Sequence, residues 1–216
     1  MGVSASEIAQ LRAKTGAGMM DCKKALDEAA GDMEKAIDIL RKKGIAKAAK
    51  RADKVTAEGL VYSYIHGEGR IGVLLELNCE TDFVAKTDQY KSLASDLAMH
   101  IAAANPKYLS REEVKAEDIT REQEVYRAQL QNEGKPEAMI EKILEGKMSK
   151  YYGEVCVLEQ SFIKDEEKTI EQLLTEKTGE IGEKVSLRRF VRYELGEGIE
   201  KVCKDFAEEV KEQMGE

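Results

Sequence analysis

The fold of this chain is decided around residues 71–84, which read IGVLLELNCETDFV. Apolar residues alternate from Ile71 to Leu77, and this period-two pattern is typical of a strand that buries one face. A glycine-containing segment, His66–Arg70, separates this stretch from Leu60–Ile65, a run rich in β-branched and aromatic residues. The two runs therefore predict a β-hairpin with its loop at residues 66–70.

A third strand is predicted after residue 184. Apolar and polar residues alternate there, and the apolar set expected on one buried face is Val185, Leu187, Val191, Tyr193 and Leu195. Because two strands alone are only marginally stable, this strand is expected to join the hairpin in a three-stranded sheet. Amphipathic helices are predicted between the strands, with apolar stripes that include Leu93, Leu97, Ile101, Ile170, Leu173 and Leu174.

Residues 1–54 are predicted to form three short helices followed by a basic linker. Ser4 and Glu7 have the spacing of a capping box, which opens the first helix. Asp32 can cap the third helix, and Gly44 is expected to end it. In helices this short, each apolar stripe can be buried only against the other two helices, so a compact bundle is predicted.

A protruding helical hairpin is predicted at about residues 120–152. Thr120 and Gln123 have the spacing of a second capping box. Gly134 then stops the first helix, and Pro136 is expected as the first residue of the next. Two helices joined by so short a turn must run antiparallel.

Together these elements predict an α+β fold in three parts. The N-terminal bundle and its linker occupy residues 1–54. A small antiparallel sheet packed with helices, together with the helical hairpin, occupies residues 55–196. The segment 197–216 shows a clear amphipathic period and is predicted to be a C-terminal helix.

The charge of the chain argues against several classes of partner. Its net charge is −8, and nucleic-acid binding needs a basic face, so direct nucleic-acid binding is not expected. One basic run is interpreted as a solvated helix face and comprises Lys42, Lys43, Lys47, Lys50, Arg51 and Lys54. The sequence shows no secretory signal and no apolar segment long enough for a bilayer, which predicts a cytoplasmic protein without membrane contact.

No set of residues for catalysis, metal binding or cofactor binding stands out. Four cysteines and two histidines are scattered without the spacings of a zinc site or a disulfide framework. Neither a glycine-rich phosphate loop nor a dinucleotide fingerprint is present. A Cys79 thiol with His66 as its base is one alternative, but a lone cysteine on a strand is more often a core residue. We therefore expect a protein that is not an enzyme and needs no cofactor.

Two features do not fit a purely structural interpretation. Met20 shares a helix face with Lys24 and Asp27, where a large apolar side chain is a candidate contact point. The segment 78–84 places Phe83 and Val84 directly after two capping residue types. It is either a capped helix start with Phe83 as its hydrophobic staple or an apolar wedge held on a loop.

Four motifs, in order along the chain, resemble the elongation factor Ts family. They are Leu11–Arg12 with TGAGMMDCKKAL at residues 15–26, NCETDFVA at residues 78–85, GKP at residues 134–136 with EGKM at residues 145–148, and ELGEGIEK at residues 194–201. The first two are long and specific. Because the motifs extend from residue 11 to residue 201, the resemblance covers nearly the whole chain.

This resemblance implies a guanine-nucleotide exchange factor for elongation factor Tu. It implies a ubiquitin-associated-like N-terminal bundle and binding to both GDP-bound and nucleotide-free partner. It also implies that one segment lies near the partner's magnesium and phosphate site, and this segment comprises Thr81, Asp82, Phe83 and Val84. Further partner contacts are implied at Arg12, Met19, Met20 and His66.

The chain resembles a short form of the family. Longer members carry two related strand-and-helix units in the core, whereas this sequence has one. A homodimer in which a second copy supplies the missing surface is therefore one alternative. The competing function is a non-catalytic ribosome- or nucleic-acid-associated protein that binds through the basic run.

Overall fold

Residues 3–199 are described in the computed structural model of this protein, and they form a mixed α+β fold. The helices are α1 (Ala5–Thr15), α2 (Met19–Glu28), α3 (Met33–Ala49), α4 (Asp82–Ala85), α5 (Asp88–Ala104), α6 (Ala116–Asn132), α7 (Glu137–Val155) and α8 (Ile170–Ile181). The strands are β1 (Glu58–His66), β2 (Ile71–Cys79), β3 (Ser161–Phe162), β4 (Asp165–Thr169) and β5 (Ser186–Glu194). The C-terminal helix predicted for residues 197–216 lies almost entirely outside the described residues.

The central sheet confirms the predicted hairpin and its third strand. Its strands are all antiparallel and run in the order β1-β2-β5. The inner face of β2 packs on α5 and α8 in one core, whose buried members include Val73, Leu75, Leu77, Tyr90, Leu97, Ile101, Ile170 and Leu187. Helices on one face of an antiparallel sheet leave its other face to solvent.

The predicted alternation in β5 is correct only in its first part. Leu77 pairs with Leu187 but Glu76 pairs with Arg189, so Arg188 is the extra residue of a β-bulge. A bulge shifts the period by one, and every later side chain changes face. The prediction that Val191, Tyr193 and Leu195 share the buried face of Leu187 was therefore wrong, because all three are exposed.

Phe190 and Arg192 take the inward positions after this bulge. Phe190 packs against the core, and the Arg192 side chain is only 8% exposed. Its Nε donates a hydrogen bond of 3.2 Å to the carbonyl oxygen of Ala102 in α5. Because of the bulge, Phe190 and Arg192 face the core at this end of the sheet, and Val191 and Tyr193 face solvent.

An apolar surface, here called the outer sheet face, covers the solvent side of all three strands. Its exposed members are Val61, Ile65, Leu74, Val191 and Tyr193. Leu74 lies at its centre, paired with Ser63 on β1 and Val191 on β5. This cluster makes the outer sheet face a candidate contact region.

The edge of the outer sheet face carries one ion cluster. The Glu76 carboxylate accepts hydrogen bonds from Arg188 at 2.8 Å and from Arg189 at 2.6 Å. These two guanidinium groups lower the pKa of Glu76 to about 2. The bulge is what places consecutive arginines on the same carboxylate.

The N-terminal bundle forms as predicted. Ser4 accepts from the Glu7 backbone N–H, and the Glu7 carboxylate accepts from the Ser4 N–H, so the capping box is complete. Asp32 caps α3 by accepting from the backbone N–H of Lys35 at 3.2 Å. The buried stripes meet in one small core that contains Leu11, Cys22, Ala25, Leu26, Ala29 and Ala36.

Gly44 does not end the third helix, which continues to Ala49. It lies instead where α3 crosses α8, opposite Gly179. A Cβ at Gly179 would lie only 2.6 Å from the Gly44 Cα, so the two backbones touch. We call this contact the glycine crossing. It joins the bundle to the core, together with an ion pair of 3.6 Å between Arg41 and Glu176.

The helical hairpin is present, with two corrections to its boundaries. α6 starts at Ala116, and Thr120 is an interior residue whose hydroxyl donates to the Ala116 carbonyl at 2.9 Å, so the predicted capping box was wrong. Pro136 occupies the N-cap rather than the first position of α7. The two helices pack through Leu130, Ile140, Leu144 and Met148. Within residues 3–199, no helix is long and apolar enough to cross a membrane.

A buried histidine lies on the other side of α5. The Nε2 atom of His100 is 3.0 Å from Oε1 of Gln160, and Nε2 of Gln160 donates to the Glu154 carbonyl at 2.7 Å. This amide orientation requires a proton on Nε2 of His100. Burial lowers the pKa of His100 below its usual value near 6.5.

We expect the free energy of unfolding to decrease as the pH falls through about 6.5 towards the lowered pKa of His100. In that window the unfolded chain binds a proton at this position and the folded chain does not, so acid favours unfolding. Urea unfolding at pH 7.5 and 5.5 measures the difference. His100→Leu should show a smaller decrease over the same range, and an equal decrease would contradict the assignment.

Candidate functional site

The segment after β2 forms a short exposed projection. α4 is a single turn that begins immediately after Thr81 and contains Asp82, Phe83, Val84 and Ala85. The Phe83 side chain is 78% exposed, whereas Ala85 is buried and Val84 packs against the core. Phe83 is therefore not a hydrophobic staple, and the arrangement is that of an exposed wedge on a buried base. We call α4 and Thr81 the wedge.

Thr81 does not cap α4 with its side chain. Its hydroxyl donates to Oε1 of Glu183 at 2.7 Å, and its backbone N–H donates to Oε2 of the same carboxylate at 2.9 Å. Its carbonyl accepts from the Cys79 thiol at 3.1 Å. The start of the wedge is thus held by the loop that follows α8.

The residue before the wedge is fixed from two other segments. Glu80 accepts from Nη1 of Arg51 at 2.8 Å through both carboxylate oxygens, and from the Lys184 backbone N–H at 2.7 Å. The Lys184 N–H and the Arg51 guanidinium lower the pKa of Glu80. The base of the wedge therefore contacts the linker after α3 as well as the loop after α8.

The exposed face of the wedge carries charge beside the aromatic ring. Lys86 donates to Asp82 at 2.6 Å and lowers the pKa of the Asp82 carboxyl. The Lys86 ammonium lies 6.0 Å from the centre of the Phe83 ring. An acid, a base and a phenyl ring thus project from one helical turn.

A second exposed apolar position lies at the start of α2. Met20 is 64% exposed and Met19 is 49% exposed, and Arg12 is exposed on α1. Gly16 ends α1 with φ of 66°, a left-handed conformation that favours glycine. The turn lies against the core, because a Cβ at Gly16 would be 3.3 Å from the Glu180 carboxylate, which in turn accepts from Gln89 near the start of α5.

Known proteins that are similar to this chain agree with one family. The family model described as "Elongation factor TS" matches residues 5–197. The chain belongs to the elongation factor Ts family. It is 61% identical to elongation factor Ts of Desulforamulus reducens, with 98% of each chain covered. It is 55% identical to elongation factor Ts of Geobacter metallireducens, with 100% of each chain covered.

Membership of the elongation factor Ts family places the chain in translation elongation. An exchange role towards elongation factor Tu is the general role that this family implies. A relative from Acetivibrio thermocellus is 58% identical over 98% of this chain and 99% of its own length, so the two chains are nearly equal in length.

The thiol alternative is incompatible with the elongation factor Ts fold seen here. Cys79 pairs with Glu58 at one end of the β-hairpin, whereas His66 pairs with Ile71 at the other. Eight residues of strand separate the two positions, roughly 26 Å. Cys79 is buried, and burial raises the pKa of its thiol. Among residues 3–199, no group of three metal-ligating side chains lies close enough to hold an ion.

His66 is also distant from the wedge for the same reason. It is exposed at the end of β1, and its Nδ1 is 2.9 Å from the Tyr64 hydroxyl. The α1–α2 turn thus lies beside the start of α5, the helix that follows the wedge in the sequence. His66 lies at the far end of the sheet. Sequence reasoning about elongation factor Ts missed Glu183, Arg51 and Gly179, since none lies in a motif that was assigned a contact.

Proposed function

We propose that this chain is a guanine-nucleotide exchange factor that binds elongation factor Tu in the cytoplasm and promotes release of its GDP during translation elongation. The observation that carries the proposal is the exposed Phe83 on a wedge whose base is fixed by hydrogen bonds. Exposed aromatic side chains are frequent anchors of protein interfaces, and a loop held by a rigid scaffold presents such a side chain in a defined position.

The proposed mechanism is thermodynamic linkage between the factor and GDP. A factor that binds nucleotide-free partner better than GDP-bound partner weakens GDP binding by the same factor. A change of about 10⁴ in nucleotide affinity requires roughly 5.5 kcal/mol of differential binding. Burial of one phenylalanine contributes about 1.5–3 kcal/mol, so the wedge acts only with further contacts.

We assign those further contacts to two regions. Arg12, Met19 and Met20 present one charged and two apolar side chains on the N-terminal bundle, and His66 presents an imidazole at the tip of the sheet. Methionine side chains adapt to irregular apolar surfaces, which suits an anchor. These contacts hold the factor on its partner while the wedge reaches the nucleotide site.

The wedge then disturbs the partner's magnesium and phosphate site. Phe83 and Val84 supply apolar bulk, Asp82 supplies a negative charge, and Thr81 attaches the wedge to the core through Glu183. A magnesium ion keeps near-ideal octahedral geometry, so a small displacement of its ligands weakens phosphate binding. The factor makes and breaks no covalent bond in this scheme and needs no cofactor.

The basic run does not support the competing nucleic-acid function. Lys43 pairs with Glu28 at 2.6 Å, Lys47 pairs with Asp21 at 2.8 Å, and Arg51 pairs with Glu80. Half of the run is thus occupied by acidic side chains of the same chain. Its cations stabilise the bundle and the wedge instead of forming an open phosphate-binding face, so no nucleic-acid partner is proposed.

We also propose that two copies associate through the outer sheet face. Two such faces can pack as a sandwich, in which each copy buries Leu74 and its exposed apolar neighbours on the other. The driving force is removal of that apolar surface from water. The second copy would supply the surface that longer family members carry in one chain.

Leu74→Arg is expected to convert a dimer to a monomer, because it places a charge at the centre of the outer sheet face. Sedimentation velocity at several concentrations measures the change. Val125→Arg on α6 is the matched control, since Val125 is 46% and Leu74 is 47% exposed. A monomeric unmodified chain at all concentrations would contradict the proposed association.

The main experiment measures release of a fluorescent GDP analogue from elongation factor Tu, with and without this chain. Acceleration by an amount of chain well below that of the partner supports exchange, because each molecule must then act repeatedly. Release at the spontaneous rate would overturn the proposed function.

A further inference from the structure

We infer that Glu183 is a positioning residue for the wedge, an inference that rests on the proposed exchange function. Glu183 lies in the loop between α8 and β5 and is 102 residues after Thr81 in the sequence. It holds the wedge through the two hydrogen bonds to Thr81 described above. Its role is to fix the direction in which Phe83 projects.

The wedge needs such a residue because α4 is too short to be stable alone. One turn of helix forms few internal hydrogen bonds for the backbone freedom that it loses. A capping box would normally hold such a start, with a glutamate at the third helical position accepting from the N-cap N–H. That position is Val84 here, which has no acceptor. Glu183 accepts the Thr81 N–H in its place.

The contact fixes orientation as well as position. Both oxygens of Glu183 bind Thr81, one through its N–H and one through its hydroxyl. The next residue, Lys184, donates its N–H to Glu80. Two consecutive residues of one loop thus bind two consecutive residues of the other, which prevents rotation of the β2–α4 junction.

The other side of the wedge is already held. Ala85 is buried, and Thr87 caps α5 by accepting from the Tyr90 N–H at 3.3 Å. Phe83 lies between these two attachments. Without Glu183 the Thr81 N–H and hydroxyl would lose their acceptors, and the N-terminal end of the wedge would be held only through Glu80 and the Cys79 thiol. The ring would then sample a wider range of directions. The Phe83 ring would then have to be ordered on the partner during exchange. This cost should lower the rate of the exchange step more than it lowers the affinity of initial binding.

The test compares Glu183→Ala with Glu183→Gln in the full chain. Glutamine can still accept the Thr81 N–H through its oxygen and donate to the Thr81 hydroxyl through its nitrogen. Glu171→Ala, an exposed glutamate of α8, is the control. For each variant we would measure the maximal rate of GDP release and the factor concentration that gives half of it.

We expect Glu183→Ala, which removes both hydrogen bonds to Thr81, to lower the maximal rate at least about tenfold, because each bond to a charged group contributes about 1.5–3 kcal/mol. The half-saturating concentration should change less than the rate. Glu183→Gln should recover most of the rate, and Glu171→Ala should behave as the unmodified chain. Loss of rate in both Glu183 variants together with lower thermal stability would overturn a positioning role in favour of a general folding defect.

A second measurement is independent of exchange. The chain contains no tryptophan, so Phe83→Trp introduces a single tryptophan at the tip of the wedge, which can be excited apart from the eight tyrosines. Time-resolved anisotropy of the free protein should show faster local motion when Glu183→Ala is added and little change with Glu183→Gln. If the unmodified chain fails to accelerate GDP release, the proposed function fails. The anisotropy still tests whether Glu183 fixes the orientation of the wedge. Unchanged anisotropy in Glu183→Ala would overturn the inference.

Discussion

Phe83→Ala is expected to slow catalysed GDP release from elongation factor Tu by roughly 10- to 150-fold, the equivalent of about 1.5–3 kcal/mol of lost burial. The ring is 78% exposed in the free protein, so its removal leaves no cavity in the core. The whole effect should therefore appear in the complex. Stability of the free chain should stay within about 0.5 kcal/mol of its original value.

The discriminating quantity is the ratio between the exchange rate and the binding affinity. A wedge makes its contact mainly as the nucleotide leaves, so binding to GDP-bound partner should weaken less than exchange slows. Stopped-flow release of labelled GDP and titration of GDP-bound partner measure the two separately. Met139→Ala, an exposed apolar residue of the helical hairpin, is the control. Equal losses in rate and affinity would show that Phe83 is only an anchor.

Gly179→Ala is expected to destabilise the chain by about 1–3 kcal/mol, although alanine is the better helix former. The added Cβ would lie 2.6 Å from the Cα and 2.8 Å from the carbonyl oxygen of Gly44. Both are backbone atoms and cannot rotate away. α3 and α8 must therefore separate, and the N-terminal bundle would lose its fixed position on the core.

Gly44→Ala is the matched test of the same contact. A Cβ on Gly44 would have its nearest neighbour, the Gly179 Cα, at 3.9 Å, which is ordinary contact. This variant should be neutral or stabilise by up to about 1 kcal/mol, because it removes a glycine from the interior of α3. Urea unfolding measures both variants. Equal stability of the two would contradict the geometry of the glycine crossing.

The same substitution has a functional consequence. Met19 and Met20 belong to the bundle, whereas Phe83 belongs to the core, and the glycine crossing lies between these two parts. If both regions contact one partner, a shift of one relative to the other weakens their joint binding. Gly179→Ala should therefore raise the concentration of factor needed for half-maximal exchange more than it lowers the maximal rate, the opposite of the pattern expected for Glu183→Ala.

The secondary structure near a local signal was predictable from the sequence. The β1–β2 hairpin, the capping box at Ser4 and the helix start at Asp32 all depend on residues a few positions apart, and all are confirmed. The family was also predictable, since its motifs are contiguous. The role of each motif residue towards elongation factor Tu stays a prediction.

Three predictions failed where a local pattern did not decide the structure. Glycine is a common helix stop, but α3 continues through Gly44, where it packs against Gly179 of α8. Thr120 has the spacing of a cap, but the helix starts one turn earlier. The alternation in β5 is regular in sequence, but the bulge at Arg188 reverses it.

The sequence by itself determined the elements, the family and the identity of the wedge residues, because period, capping and motif information is contained in neighbouring residues. It left open whether Phe83 is buried as a hydrophobic staple or exposed. Only the tertiary structure showed that the ring is exposed, since exposure depends on what packs over a side chain. It also revealed Glu183, because the pairing of Thr81 with a carboxylate 102 residues away has no local signal and exists only when β2, α8 and β5 are assembled.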